Sequence, residues 1–185
     1  MMKIQTIKLT RPTCVIGIDP DVDGSGVAML EVPIRALATC RYKLPVLVKF
    51  LEDFRGREDI LVVVEASYLI KGNWHLKAND SIEASSAIGH KVGRNHEIGR
   101  QIVEFCKYFH IPYEEKLPLK KVWKKKDGKI SKSELEGLCR GSGIGYKLAG
   151  YDQEQMDAAL LAIDKSGIPM IMEAPKKPGK LKAKQ

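Results

Sequence analysis

Four acidic residues stand where a folded chain could gather them. Asp19 closes the apolar run Cys14-Val15-Ile16-Gly17-Ile18, and Glu65 closes a second, Ile60-Leu61-Val62-Val63-Val64. Glu154 and Asp157 lie three apart in a late segment with helical apolar spacing, so one helix face presents both. A carboxylate at the end of a buried strand is costly unless something pairs with it. Two strand ends and one acidic helix face therefore suggest a site for a hard divalent cation. Magnesium suits oxygen ligands of this kind, and manganese is an expected substitute. Two such ions, about 3.5–4 Å apart, can clamp the attacking and leaving oxygens of a phosphodiester displacement. Each piece also has a plainer meaning. Asp19-Pro20-Asp21 reads as an ordinary turn, and Glu154 with Asp157 suits a helix N-terminus through its dipole. It is the joint placement that points to chemistry.

The surroundings of these acids are basic. The chain of 185 residues has a formal net charge of +8. Residues 116–132 hold eight lysines (Lys116, Lys120, Lys121, Lys124, Lys125, Lys126, Lys129, Lys132) against the single acid Asp127, and 174–185 adds five lysines and no acid. The rest of the chain is therefore net negative, and the positive field is local, which favours a directed contact with phosphates. For the 116–132 cluster the expected partner is nucleic acid, and for 174–185 a solvated tail. An acidic centre beside a basic stretch suggests an enzyme acting on a polyphosphate, a nuclease above all.

Composition narrows the class further. Apolar residues make up 44% of the chain, enough to fill one core, and no run approaches the roughly 20 residues that span a bilayer. The segment Met1-Met2-Lys3-Ile4-Gln5 lacks the apolar stretch of a secretory signal. Cys14, Cys40, Cys106 and Cys139 form no CxxC pair, so reduced thiols and a cytoplasmic setting are expected, and zinc is not. His90 and His96 read as surface histidines. Ser25 and Ser67 have no partnered base. Trp74 and His75 could touch DNA or anchor a loop, and Trp123, among lysines, could pack on a base or be buried.

The elements that must position the acids follow from punctuation and period. Residues 14–19 read as a buried strand and 27–30 as its hairpin return, across a turn rich in Asp and Gly. A third strand is expected near 38–43, a helix from Pro45 to about Gly56, and a fourth strand at 60–65. Residues 66–92 read as a flexible loop with helix entry. Ile98, Ile102, Phe105 and Phe109 mark an amphipathic helix. A fifth strand is expected at 111–117, a short helix near 131–139, a flexible link at Gly141, Gly143 and Gly145, and a last helix at 152–165 capped by Asp152. This order predicts an α/β fold, a mixed five-stranded sheet flanked by helices, in one domain over 1–173 with a basic disordered tail at 174–185. A crossover helix would make the third and fourth strands parallel neighbours.

The motifs resemble those of the RuvC-like Holliday-junction resolvases of the ribonuclease H-like superfamily. The opening Gly17-Ile18-Asp19-Pro20-Asp21, with Gly24 and Gly26 following, is similar to the family's first strand and turn. Val62-Val63-Val64-Glu65 matches its second motif, and Glu154-Gln155-Met156-Asp157-Ala158-Ala159-Leu160-Leu161-Ala162 its last. Asn95 to Gly99 looks like the central helix and Lys132-Ser133-Glu134-Leu135 like the basic helix entry. The resemblance covers about residues 13–165. It implies a ribonuclease H-like fold and a Mg²⁺-dependent endonuclease, a homodimer that resolves four-way DNA junctions by paired nicks. It makes Asp19, Glu65, Glu154 and Asp157 the catalytic, metal-binding set. Tyr68 takes the place of an aromatic that pries base pairs apart, and Lys120 and Lys132, with Lys121, Lys124 and Lys129, are DNA contacts. Asp21 departs from the pattern by replacing a glycine, Glu154 by standing where Asp or His is commoner, and 69–82 looks atypical.

Other readings stay open at this stage. A phosphate-binding hairpin also occurs in the actin and heat-shock ATPase superfamily, although those chains are about twice this length and carry two such lobes. A junction-binding protein with an inert acidic cluster, or a nuclease of the same fold acting on RNA–DNA hybrids or other branched DNA, fits as well.

Overall fold

A computed structural model describes residues 11–70, 81–120, 122–124, 126–150 and 152–173. The expectations for Trp74, His75, Lys121, the 71–80 stretch and the 174–185 tail lie outside the described residues.

The centre of the fold is strand β1 (Cys14–Asp19), apolar on both faces and buried over Cys14 to Ile18. Such a strand needs a partner on each edge. Strand β2 (Ser25–Glu31) returns antiparallel on one side, and β4 (Ile60–Glu65) lies parallel on the other. Strand β3 (Ala36–Tyr42) continues the meander beyond β2, and β5 (Tyr113–Lys116) follows β4. A sixth strand, β6 (Gly145–Leu148), runs parallel to β3, giving the order β5-β4-β1-β2-β3-β6. The sheet is mixed and flanked by helices as expected, but it has six strands, not five.

Two expectations are corrected here. The Gly141–Gly145 stretch is not only a link, because it leads into β6. That strand is four residues long and exposed or half-buried throughout, so it carries no apolar run to betray it. What makes it a strand is the open backbone edge of β3. The third and fourth strands are also not neighbours. Strand β3 alternates buried and exposed residues, as an edge-side strand does, whereas β4 is nearly all buried. Burial on both faces places β4 against β1.

Helices cover both faces. The pleat sends Ile16, Ile18, Val62 and Val64 to one side, where they pack with α1 (Leu44–Glu52) and α2 (Ile82–Tyr108). It sends Val15, Ala28, Leu37 and Val63 to the other, against α3 (Lys132–Gly141) and α4 (Gln153–Lys165). Helix α2 is longer than its apolar stripe predicts and starts within the presumed loop. Its first turns are mostly exposed, and their signal is a cap rather than a period: the Ala84 N–H donates to Ser81 Oγ at 3.1 Å.

Helix α4 lies almost directly on the backbone of β1 and β2. A Cβ on Gly17 would fall 2.1 Å from the Ala158 carbonyl oxygen, and one on Gly26 would fall 2.0 Å from that of Glu154. Gly89, on the exposed start of α2, has nothing within 4 Å of such a Cβ. Gly17→Ala is therefore expected to destabilise the fold by about 1–3 kcal/mol. Gly89→Ala should stabilise it by about 0.5–1 kcal/mol. Urea denaturation midpoints of the two variants, moving in opposite directions, check this contrast.

Candidate active site

Alternation along the strands decides where the acids point. Asp19 has the parity of Val15 and Gly17, and Glu65 that of Leu61 and Val63, so both face the α4 side. The parallel register pairs Ile18 with Val64, which sets Asp19 and Glu65 side by side at the strand ends. Helix α4 begins over the same corner. The Gln155 N–H donates to Asp152 Oδ1 at 2.8 Å, and this cap opens the turn that carries Glu154 and Asp157. Gln153 Nε2 donates to Asp157 Oδ1 at 2.8 Å.

Asp19, Glu65, Glu154 and Asp157 line one cavity of ≈ 220 Å³. Pro20, Asp21, Asn95 and His96 form part of its wall, and Leu119, Lys120, Trp123 and Lys129 another. The Asp19 carboxyl is pushed well above the ordinary carboxylate range, first by burial, then by the negative charge of Glu65, Asp157, Glu154 and Asp21. Four carboxylates from three distant chain segments thus act on one pocket. As the side chains stand, no three histidine, cysteine, aspartate or glutamate side chains among the described residues converge as a bound ion requires. The four carboxylates are gathered around one cavity without meeting at ligating distance. The donor set, carboxylate oxygens without sulfur, fits a hard cation such as Mg²⁺.

The basic residues divide. Lys120 and Lys129 line the acidic cavity, while Lys124 lines a neighbouring groove together with Ser131, Ser133 and Arg140. Lys132 is exposed in the first turn of α3. Trp123 is half-buried against the core cluster under α3 and α4, and borders both the cavity and the groove. The reading as a buried loop aromatic is therefore partly met.

Tyr68 is placed outside the acidic cavity. Its hydroxyl donates to Glu115 Oε2 at 2.6 Å, and the Arg100 guanidinium lies 5.1 Å from its ring centroid. The ring lies so close to α2 that a Cβ on Gly99 would stand 2.8 Å from it. Burial and the Glu115 hydrogen bond raise the Tyr68 hydroxyl above its usual range. The aromatic is pinned rather than projecting.

Three residues at or beside the site had no sequence signal strong enough to mark them. His96, read as a surface histidine, is half-buried in the cavity wall and meets Tyr68 edge-on at 6.3 Å. Asn95 Oδ1 accepts from the Val22 N–H at 3.0 Å, and its Nδ2 donates to Asp21 Oδ2 at 3.2 Å. Arg41 pairs with Asp21 at 3.5 Å and with Asp152 at 3.4 Å. The Asp23 N–H also donates to Asp21 Oδ1 at 2.8 Å. Asp21 is therefore a satisfied turn residue. For Arg41, the one available clue was its parity with Leu37 on the inward face of β3.

No family model and no curated protein matches the sequence. Among solved structures, the chain is similar to Thermus thermophilus RuvC in complex with a Holliday junction substrate, at 17% identity and a TM-score of 0.46. It is similar to a second Thermus thermophilus RuvC structure at 17% identity and a TM-score of 0.42. Each match covers 86% of this chain and 99% of the other. No helix among the described residues is long and apolar enough to cross a membrane.

The raised Asp19 has a consequence for metal-free protein. The folded state holds the proton more tightly than the unfolded chain, so stability is fully present below the unfolded value, near pH 4. It is then lost as pH rises through the folded value. Asp19→Asn removes that loss. In chelator, the variant is expected to melt higher than the unsubstituted protein at neutral pH, with the difference shrinking as pH falls to about 4. Thermal melts across that range check the sign.

Proposed function

We propose that this protein is a divalent-metal-dependent endodeoxyribonuclease that cuts four-way DNA junctions. The observation that carries the reading is the shared cavity. Asp19, Glu65, Glu154 and Asp157 meet there from three chain segments, with Lys120 and Lys129 in the same wall.

The four carboxylates are the residues that would hold Mg²⁺, as one or two ions with Mn²⁺ able to replace it. Bound there, the metal supplies charge stabilisation for the phosphodiester oxygens and a lowered pKa for an attacking water. The chain's own groups do the rest. Lys120 and Lys129 draw a backbone phosphate to the pocket against the repulsion of its acids. Leu119 and Trp123 close an apolar side that limits water. Lys124 and Lys132, with Lys121 in the same stretch, extend the contact along the backbone. The junction as substrate, and a homodimer that nicks it in pairs, follow from the motif resemblance over residues 13–165. Tyr68 would act on the junction only after leaving Glu115.

The deciding experiment is cleavage of a labelled mobile four-way junction in magnesium, with a flap and an RNA–DNA hybrid alongside. The junction should be cut best. Asp19→Asn should lose cutting by at least about a hundredfold while binding the junction as before. Cutting by Asp19→Asn at the unsubstituted rate would sink the proposal, and preference for the hybrid would move it to another substrate.

Junction affinity should also fall steeply between low and moderate salt, because each phosphate contact releases counterions. Replacing Lys120 and Lys129 with Gln should flatten that slope by about one to two contacts. A slope that stays unchanged in the double variant removes this wall from the DNA interface.

A further inference from the structure

One cation lies among the acids without belonging to the lysine-rich stretch. The register places Asp19 opposite Gly26, and Gly26 opposite Arg41. Asp19, Gly26 and Arg41 therefore form one row across three strands, on the face that α4 covers. Gly26 leaves a gap in the row, and the Glu154 backbone fills it. Arg41 reaches around that gap in three directions. Its Nε donates to the Gly24 carbonyl at 3.0 Å. Its Nη2 lies 3.5 Å from Asp21 Oδ1, and its Nη1 donates to Asp152 Oδ2 at 3.4 Å.

These partners are not arbitrary neighbours of the site. Asp21 is two residues after Asp19, and Asp152 two before Glu154. One guanidinium therefore ties the turn leaving the first acidic strand to the cap of the acidic helix. Its planar fork can satisfy several acceptors at fixed angles, which an ammonium cannot. The turn is shaped to receive it: Gly24 takes φ +149°, and a Cβ there would stand 3.0 Å from Arg41 Nε. Asn95 holds the same turn from the other side, through Val22 and Asp21.

We propose that Arg41 is a positioning residue, a strut that sets the spacing between Asp19 and the Glu154–Asp157 pair and so fixes the pocket's affinity for its divalent ion. The strut itself is a statement about two chain segments. Its effect on metal rests on the nuclease reading. Arg41 touches neither substrate nor metal in this role, and it acts through Asp21 and Asp152.

The test uses full-length protein carrying Arg41→Gln, Arg41→Lys or Asp152→Asn, with three measurements on each. Mn²⁺ binding is read by titration calorimetry, junction affinity in chelator, and amide exchange at Gly24 and Gln155 by hydrogen–deuterium exchange. Arg41→Gln should weaken Mn²⁺ binding about tenfold, the size expected when a group orienting metal ligands is lost. It should raise the magnesium needed for half-maximal cutting by the same factor, with the rate recovered at saturation. Exchange at both amides should quicken, and junction affinity should not change. Arg41→Lys should recover only part of this. Asp152→Asn keeps a capping oxygen, so a shift in the same direction assigns the effect to the lost ion pair rather than the cap. The proposal is overturned if Arg41→Gln leaves Mn²⁺ affinity and both amides as they were. It is equally overturned if junction affinity drops while Mn²⁺ affinity holds, since Arg41 is then a DNA contact. Should the unsubstituted protein bind no Mn²⁺, the nuclease reading falls, and amide exchange alone still decides for or against the strut.

Discussion

The structure depends on how closely one helix can lie on one hairpin. Helix α4 meets β1 and β2 through two residues without side chains, Gly17 and Gly26, and its carbonyl oxygens occupy the space a Cβ would need. Almost every inward position of α4 is buried, including Met156 and Ala158 to Ile163. The contact is both a close approach of helix to sheet and the device that lowers Glu154 and Asp157 onto the strand ends. Packing and site are the same contact here. A methyl group at either glycine lifts the helix and separates the acids, even though neither glycine carries chemistry.

Burying Asp19 and gathering three further carboxylates around it both have a cost, and its raised carboxyl reflects burial first and the neighbouring charges second. Cations stand both in the cavity wall, as Lys120 and Lys129, and around it. Arg41 and Asn95 hold Asp21 at one side. At the far end of α4, Lys116 pairs with Asp164 and Lys165 with Glu114, so β5 and the helix are tied by opposite charges running in both directions. Such partly exposed pairs contribute little stability one by one. Their use is positional, because they hold the C-terminal end of α4 against β5 while its first turn carries like charges.

The sequence made the central strands, the closing acids and the capped last helix readable because each has a strong local signature. Two apolar runs end in a carboxylate, and an Asp cap precedes an acidic pair. That Asp19 and Glu65 share a face followed only once the β1–β4 register was known. The sixth strand was not readable. Gly145-Tyr146-Lys147-Leu148 alternates only two half-buried apolar residues with a glycine and a lysine, too short a signal to mark a strand, and its existence depends on a distant edge that accepts it. The neighbour of β4 was misplaced for a related reason: chain order suggested β3, while burial on both faces required β1. Arg41 and Asn95 escaped notice because hydrogen bonding across 17 to 111 residues of sequence leaves no local pattern. The pinning of Tyr68 by Glu115 is likewise a long-range fact.

The basic wall is referenced to the same helix as the acidic floor. Ser131 and Glu134 form a reciprocal cap at the start of α3, with the Ser131 N–H donating to Glu134 Oε2 at 3.0 Å. The other oxygen of Glu134 accepts from the Lys124 N–H, also at 3.0 Å. One carboxylate thus fastens the lysine-bearing loop to α3. Helix α3 in turn buries Leu135, Leu138 and Cys139 in the cluster that contains α4. A loop with this many like charges would otherwise spread away from itself. Lys120 and Lys129 line the cavity beside Asp19 and Glu154. For the proposed polyanionic substrate, a basic wall anchored to the core would lower the ordering cost of binding.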